Sequence, residues 1–469
     1  MQGLSPTVMA AFSDKAGRRQ AYILCFIIFL CANVGLALQT NYAALMVLRC
    51  LQSAGSSGTV ALSSAVVADI STSAERGVFM GMTFLGGILG LSLAPIIGGL
   101  ISQFLNWHWI FWFLLIFGAV FFIPYLLFFP ETCRYVVGNG SKRPPLLNMT
   151  LIDIFLEKRR SRNSNISEPP RQRQQFHFPN PLGSLYIVAD KESAFILVLN
   201  GLIVACMYTF LAGIPSQFAS IYGFNDIKIA LVYVPFSGGG VLSAFTTGKT
   251  IDWNYRRHAK RLGVSIVSNR QQDISDFPIE TARIQVSLPI LYLSVACMIG
   301  CAWVLDAQLN LAGPLILLFV VGYGFVATNQ VLNTLMVDLY PGQTATAMAA
   351  NNLVRCLMGA AATAVLNPLF EAIGIGWTYT FFALLWAICS PFLFLLMRYG
   401  PTWRRERREK ERAKEERRKD KAAKMEEGQL KESQGTAEEK QNENDNENDE
   451  SRGIESNTNS TEEMSENRE

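Results

Sequence analysis

The stretch Ser13-Asp14-Lys15-Ala16-Gly17-Arg18-Arg19 has a counterpart in Asp252-Trp253-Asn254-Tyr255-Arg256-Arg257. Both contain the pattern Asp-x-x-x-Arg-Arg, and both lie between two long apolar stretches. The two aspartates, at positions 14 and 252, are 238 residues apart. A charged motif that recurs at corresponding places in an apolar chain predicts an internal duplication, with two related halves.

The charged residues are concentrated at the end of the chain. Residues 398–469 hold 17 Lys/Arg and 21 Asp/Glu, whereas the other 397 residues hold 24 and 17. The larger part is therefore only about 10% charged, against roughly 25% for an ordinary soluble domain. This distribution excludes a large soluble enzyme and predicts an integral membrane protein with a polar tail.

Ten apolar stretches are long enough to cross a bilayer, since a spanning helix needs about 20 mostly apolar residues. They cover residues 20–38, 42–64, 78–101, 108–129, 191–214, 227–248, 285–305, 312–335, 344–366 and 375–397. Residues 1–13 are also apolar, but as a helix they reach only about 20 Å of a hydrocarbon core that is roughly 30 Å thick. We expect them to be the second half of a helix whose beginning is missing.

Lysine and arginine fix the expected orientation, because cytosolic loops are enriched in both. One set of loops carries Lys15, Arg18, Arg19 and Arg76, ten more basic residues between 130 and 191, and seven between 249 and 284. The opposite set carries only Lys228. We therefore place the first set, the segment 130–190 and the C-terminus in the cytosol.

Histidine and cysteine give no sign of a metal centre. The nine cysteines are scattered, mostly within apolar stretches, and there are only three histidines. No nucleophile–base pair or phosphate-binding loop is evident in the sequence. We expect no cofactor, no metal and no enzymatic activity.

Further motifs resemble those of the major facilitator superfamily, in particular the fungal twelve-helix drug:proton antiporters of the quinidine- and polyamine-resistance group. Besides the Asp14 loop, they are Arg49, Gln52 and Gly55; Ala94-Pro95-Ile96-Ile97-Gly98-Gly99; Pro130-Glu131-Thr132; Tyr222-Gly223-Phe224; and Asn351-Asn352 with Arg355. Ala94 replaces the usual first glycine of the antiporter-type motif. The resemblance covers about residues 1–403.

The resemblance implies an all-α membrane bundle of two pseudo-symmetric six-helix halves, with ten complete spans and one partial span. The first helix and part of the second would be missing. The expected divisions are an N-terminal bundle at 1–129, a cytosolic linker at 130–190, a C-terminal bundle at 191–398 and a charged tail at 399–469. We expect the tail to be helical to about residue 424 and disordered beyond it.

In this family the Asp-x-x-x-Arg-Arg motif implies a cytosolic latch. Asp14 would face the start of the eleventh helix near residues 343–346, and Arg18 would pair with Asp69 or Glu75. The latch residues would be Asp14, Gly17, Arg18, Arg19, Asp252, Arg256 and Arg257. The alternative is an ordinary helix end, where the arginines compensate terminal carbonyl groups.

Two arginines lie within the spans, where an isolated charge is costly. Arg49, Gln52 and Arg355 are candidates for a coupling or cavity switch. The alternative for Arg49 is a buried arginine satisfied by backbone carbonyl groups, and the alternative for Arg355 is helix packing. No complete span has Asp or Glu in its middle, and Asp338 and Glu371 lie at span ends. The coupling acid would thus lie in the missing first helix, or be Asp14, Asp338 or Glu371.

Polar and aromatic residues within the spans are candidates for a substrate cavity between the halves. They are Tyr208, Tyr233, Tyr323, Asn329, Gln330, Asn333 and Asn352. Ordinary hydrogen bonding between helices is the alternative for each of them. The small residues Gly86, Gly90, Ala94 and Gly98, spaced by four, predict a close helix-packing face, and Pro95 and Gly99 complete the antiporter-type motif.

The expected function is secondary active transport by alternating access, with proton-coupled export of small organic molecules or drugs. We expect a monomer in the plasma membrane, with a vacuolar or other internal membrane as the alternative, and no nucleic-acid partner. Two other functions remain open: a uniporter or symporter for a metabolite, and a sensor or remnant that does not transport.

Overall fold

The computed structural model describes residues 1–138, 144–155, 182–263, 277–341 and 343–466, and these residues form helices joined by short turns. The long helices are α1 (Ser5–Ala16), α2 (Arg18–Leu38), α3 (Tyr42–Ile70), α4 (Arg76–Phe104), α5 (His108–Phe128), α6 (Lys191–Tyr222), α7 (Asp226–Arg261), α8 (Ile279–Asp306), α9 (Ala312–Leu339) and α10 (Thr344–Glu466). Short helical segments lie at Arg134–Val137, Leu146–Asn148, 151–155 and Leu182–Ala189.

A helix lies at each of the ten predicted spans. Eight of the described helices are long and apolar enough to cross a membrane. Helix α3 is not among them, because its interior carries polar residues such as Gln52 and Ser57. Helix α10 contains two predicted spans, 344–366 and 375–397, with a break at Gly374, whose φ is 79°. The all-helical membrane bundle is confirmed, whereas a missing first helix stays a prediction.

Helices α4 and α7 approach each other closely through small residues. A Cβ atom added at Gly77 would lie 2.7 Å from the carbonyl oxygen of Gly248, and one at Gly81 would collide with the carbonyl oxygen of Ala244. Further along, Ile88 packs on Ala244 and Val326. Small residues allow the two helices to approach this closely, because no bulky side chains keep their backbones apart.

The glycine face that we predicted on α4 lies elsewhere on the helix and makes no such contact. A Cβ atom at Gly86, Gly90, Gly98 or Gly99 would meet nothing within 4 Å among the described residues. The prediction of a packing face at Gly86–Gly98 is therefore wrong for this structure. The contact uses the first turns of α4 instead, where Gly77 and Gly81 are also spaced by four.

The tail differs from the expectation of disorder. Helix α10 continues to Glu466, well beyond residue 424. No proline follows Pro401 in the sequence, and glutamate, glutamine, lysine and alanine, which favour helix, are frequent there. Two compact units are distinguished: Met1–Pro401, which contains both predicted halves, and Thr402–Glu469. Much of the predicted linker, at residues 139–143 and 156–181, lies outside the described residues.

Candidate functional site

The turn between α1 and α2 depends on Gly17. Its φ of 113° and ψ of 156° lie in a region that is open almost only to glycine. A Cβ atom there would also lie 2.5 Å from Nδ2 of Asn148 and collide with the carboxylate of Glu131. The turn ends α1 at Ala16 and starts α2 at Arg18, which brings Arg18 back towards the end of α1.

Arg18 joins two acids at this turn. Its Nη1 lies 2.5 Å from Oδ1 of Asp14, and its Nε donates to Oδ2 of Asp69 at 2.9 Å. The Oγ of Ser13 accepts a further hydrogen bond at 2.6 Å. Arg18 is buried, so these partners compensate a charge that water does not reach. Of the two acids predicted as its partner, the structure places Asp69 in contact.

Asp14 also connects the first half of the chain to the second. Its Oδ2 accepts hydrogen bonds from the backbone N–H of Thr346 at 3.2 Å and from the Oγ1–H of Thr346 at 2.6 Å. Thr346 lies in the first turn of α10, where unpaired N–H groups and the helix dipole favour a negative charge. This is the place where the sequence predicted that Asp14 would lie.

Arg19 and Glu131 hold the same turn from the other side. Arg19 donates to the carbonyl oxygens of Leu126, at 2.7 Å, and of Phe129, which end α5. Glu131 accepts from the backbone N–H groups of Arg18 at 2.8 Å and Arg19 at 3.1 Å, at the start of α2. Burial raises the pKa of Glu131, and the N–H donors offset part of that rise. Each helix end is thus capped by a side chain from the other segment.

Asp252 makes the corresponding contact in the opposite direction. Its Oδ1 accepts from the backbone N–H of Gly77 at 2.9 Å, and its Oδ2 accepts from that of Val78 at 3.0 Å. These N–H groups belong to the first turn of α4, in the first half of the chain. Each half therefore places one aspartate at the start of a helix in the other half.

The arginine that pairs with Asp252 is Arg283, and a latch role of Arg256 and Arg257 stays a prediction. Arg283 lies 3.3 Å from Asp252 and 2.9 Å from Asp338, and it donates to the carbonyl oxygen of Ser73 at 2.5 Å. Asp338 also pairs with Arg76. Arg256 and Arg257 are exposed on the far end of α7.

One residue explains this difference between the two motifs. Where the first motif has Gly17, the second has Tyr255, which is helical, so α7 continues to Arg261 without a turn. The arginine then has to come from α8. Tyr255 lies beneath the guanidinium of Arg283, with 5.0 Å between its ring centroid and Cζ. The sequence does contain a signal for the buried ion pairs. Asp69 and Asp338 lie near the ends of α3 and α9, and each shortly precedes a helix, α4 or α10, whose first turn an aspartate from the other half caps.

Arg49 and Arg355 lie in different halves, and the described contacts do not bring them together. Arg49 is exposed in the structure; it donates to Oε1 of Gln52 at 3.1 Å and lies 4.9 Å from the ring centroid of Phe111. Gln52 in turn donates to Asn33 at 2.7 Å. Arg355 is half-buried and donates through Nε to Oδ1 of Asn352 at 2.8 Å.

The candidate cavity amides are mostly engaged between helices. Asn351 donates to Oδ1 of Asn333 at 2.5 Å, and Asn200 donates to Oδ1 of Asn351 at 2.8 Å. Asn333 donates to the carbonyl oxygen of Asn329 at 2.9 Å. All of these side chains are buried. Their contacts agree with the alternative interpretation of the candidate amides, hydrogen bonding between helices.

The remaining candidates divide by exposure. Gln330 is buried and donates to the carbonyl oxygen of Gly77 in the other half at 3.1 Å. Asn352 is also buried and donates to the carbonyl oxygen of Gln2 at 2.6 Å. Three of the candidates are tyrosines that are half-buried: Tyr208, Tyr233 and Tyr323. Their contact with a substrate stays a prediction.

Known proteins resemble most of the chain. A family model described as Major Facilitator Superfamily matches residues 1–363. The chain is 50% identical over 412 residues to MFS-type transporter phiD from a fungal species, covering 88% of this chain and 62% of that protein. It therefore spans less than two thirds of the length of phiD. It is 30% identical over 423 residues to Citrate exporter 1 of Aspergillus niger, covering 87% and 79% of the two proteins.

A solved structure supports the fold independently. The proton:xylose symporter XylE, bound to 6-bromo-6-deoxy-D-glucose, superimposes with a TM-score of 0.59 at 12% identity, covering 84% of each chain. At this identity the likeness concerns the fold alone. Together with the match of the family model over most of the chain, it leads to one conclusion: the chain belongs to the Major Facilitator Superfamily.

Proposed function

We propose that the protein is a membrane transporter that exports small organic molecules in exchange for protons, by alternating access. The observation that carries this proposal is the pair of contacts between the halves, Asp14 with Thr346 and Asp252 with Gly77 and Val78. Both lie on the side that we assign to the cytosol from the distribution of Lys and Arg. Both break if the halves rock apart on that side.

The energies of these contacts suit a reversible latch. An acid at a helix N-terminus stabilises by about 0.3–1 kcal/mol, and by up to about 2 kcal/mol where it is partly buried. Two such contacts favour the closed arrangement by a few kcal/mol at most, so that binding of a substrate or proton can reverse the balance. The buried group of Arg76, Asp338 and Arg283 also joins the halves and would rearrange with them.

The export of small organic molecules is supported by the resemblance of the motifs to drug:proton antiporters and by the relatives. Citrate exporter 1 is named for export of an organic acid, and it matches most of this chain. Arg49, Gln52 and Arg355 are the residues that we propose as the coupling switch. The half-buried Tyr208, Tyr233 and Tyr323 are the proposed substrate contacts. We further propose a monomer in the plasma membrane, with the linker and tail in the cytosol.

A vesicle assay tests the function directly. The purified chain is reconstituted with a pH-sensitive dye inside, a pH gradient is imposed, and citrate and quinidine are added separately as probes. We expect one of the probes to drive proton flux, and the double variant Asp14→Asn/Asp252→Asn to reduce it. Uptake that ignores the gradient would instead indicate a uniporter. Absence of flux with either probe and of probe uptake, from protein that melts cooperatively, would favour a sensor or remnant.

A further inference from the structure

We propose that a cleft between the start of α4 and the C-terminal part of α7 binds the headgroup of an anionic phospholipid from the cytosolic leaflet. The cleft has a volume of about 430 Å³ and is lined by Glu75, Val78, Phe79, Lys249, Asp252, Trp253 and Arg256. The assignment to the cytosolic leaflet rests on the orientation given above.

Charge in the cleft favours an anion. Lys249 and Arg256 are exposed, and no ion pair to either is found among the described residues. Seven residues apart, they lie on the same face of α7, about two turns from each other. Arg257, with its guanidinium 5.5 Å from the ring centroid of Trp253, adds a third positive charge beside the cleft. A basic group at the cytosolic membrane surface attracts anionic lipid by about 1 kcal/mol per charge.

The two acids of the cleft differ in their availability. Both oxygens of Asp252 accept hydrogen bonds from α4, and the residue is 4% exposed, so its charge is already compensated. Glu75 is half-buried and precedes α4 without capping it through its side chain. Glu75 is thus the one lining acid expected to oppose an anion, and its removal should strengthen binding.

The surface beside the cleft is apolar on the side towards the membrane. Phe245 and Leu242 of α7 are exposed about one and two turns before Lys249, and Phe79 and Met82 are exposed on α4. Trp253 is 59% exposed between the basic residues. Tryptophan is enriched where lipid headgroups meet the hydrocarbon core. Along one face of α7 the sequence therefore changes from apolar to aromatic and basic, as a phospholipid does from acyl chain to headgroup.

The cleft exists only when the two halves are together. Glu75, Val78 and Phe79 come from the first half, and Lys249, Trp253 and Arg256 come from the second. Asp252, whose carboxylate contacts α4, also lines the cleft. A ligand that binds one of two states shifts the equilibrium towards that state. The lipid headgroup should therefore hold the cytosolic side closed.

Spin-label distances test this proposal. Spin labels are attached to cysteines that replace Lys15 and Gln343, which are both exposed and close to the contact between Asp14 and Thr346. The exposed Cys31 and Cys50 are replaced by serine in the same protein. Distances are measured in nanodiscs of phosphatidylcholine with and without phosphatidylserine. We expect phosphatidylserine to raise the closed-to-open ratio about fivefold or more, which corresponds to about 1 kcal/mol.

Matched variants separate the cleft from general charge. The double variant Lys249→Gln/Arg256→Gln should lose the response, whereas Lys260→Gln/Arg261→Gln, which removes two exposed charges from the same helix, should keep it. Glu75→Gln should enlarge it. Equal responses of the two double variants, or no response of the wild type to phosphatidylserine, would overturn the proposal. So would closure by soluble glycerophosphate in phosphatidylcholine alone, since the ligand would then be a free phosphate. Melting temperatures in phosphatidylcholine show whether each variant is folded.

Discussion

Asp14 and Asp252 accept hydrogen bonds from the first turns of α10 and α4, so that each half of the chain caps a helix of the other. The two contacts are related by the internal repeat, yet their supporting arginines come from different elements. Arg18 follows a glycine turn directly after α1, whereas Arg283 lies on α8.

The conformation of Gly17 makes it sensitive to the smallest substitution. Gly17→Ala should lower the free energy of unfolding by about 2 kcal/mol or more, because of backbone strain and the collision with Glu131. Thermal unfolding in detergent measures it. Gly223→Ala is the control: its φ is 64°, but a Cβ atom there meets nothing within 4 Å among the described residues, so strain acts alone. Equal losses in the two variants would mean that the packing around Gly17 is unimportant.

The pairing of Asp252 with Arg283 predicts that Arg283 and Arg256 differ in their effect on transport. Arg283→Gln should reduce transport about tenfold or more, since it leaves Asp252 and Asp338 buried with fewer partners. Arg256→Gln, measured in zwitterionic lipid, should change transport less than twofold because Arg256 is exposed. Uptake rates at matched expression provide the measurement. The reverse ranking would restore the assignment that the sequence repeat suggested.

The close crossing of α4 and α7 predicts a position-dependent effect of added bulk. Gly81→Val should prevent the cytosolic side from closing, because its side chain would collide with the backbone of Ala244. Gly86→Val, five residues further along α4, should have little effect on closure, since the position is open. The distance between spin labels at Lys15→Cys and Gln343→Cys, two exposed positions in different halves, reports the closed fraction. Similar distance distributions in both variants would contradict the proposed crossing.

The buried amides predict a stability effect rather than a substrate effect. Asn333→Leu removes the acceptor for Asn351 and should cost about 1–3 kcal/mol, with a lower melting temperature. The KM for the compound transported in the vesicle assay should stay unchanged. A raised KM at an unchanged melting temperature would instead place Asn333 in the substrate cavity.

The sequence predicted the features that depend on local composition. Long apolar stretches marked the long helices. The resemblance of the repeated charged motif to the family's signature located both aspartates that join the halves. It failed where the outcome depends on backbone geometry or on distant contacts. Tyr255 in place of Gly17 removes a turn and exposes Arg256, and a pattern that compares only Asp and Arg does not register this. The buried group of Arg76, Arg283 and Asp338 brings together residues from three helices.

The glycine face illustrates a related limit. Spacing by four identifies small faces on α4 at Gly77–Gly81 and at Gly86–Gly98 alike, but only the position of α7 decides which of them is packed. Likewise, Asn333 and Gln330 read equally well as cavity residues or as links between helices. Both side chains are buried; Asn333 contacts Asn351 of α10, and Gln330 contacts the backbone of Gly77 in α4. These contacts, which depend on the positions of distant helices, favour links between helices.

The latch itself is tested most directly by distances between Lys15→Cys and Gln343→Cys labels in four proteins: the wild type, Asp14→Asn, Asp252→Asn and the double variant. Each single variant should shift the closed-to-open ratio towards open by roughly five- to thirtyfold, which corresponds to about 1–2 kcal/mol, with a larger shift in the double variant. Surface expression should stay unchanged while transport falls. An unchanged distance distribution in the double variant would contradict the account that these two aspartates hold the cytosolic side closed.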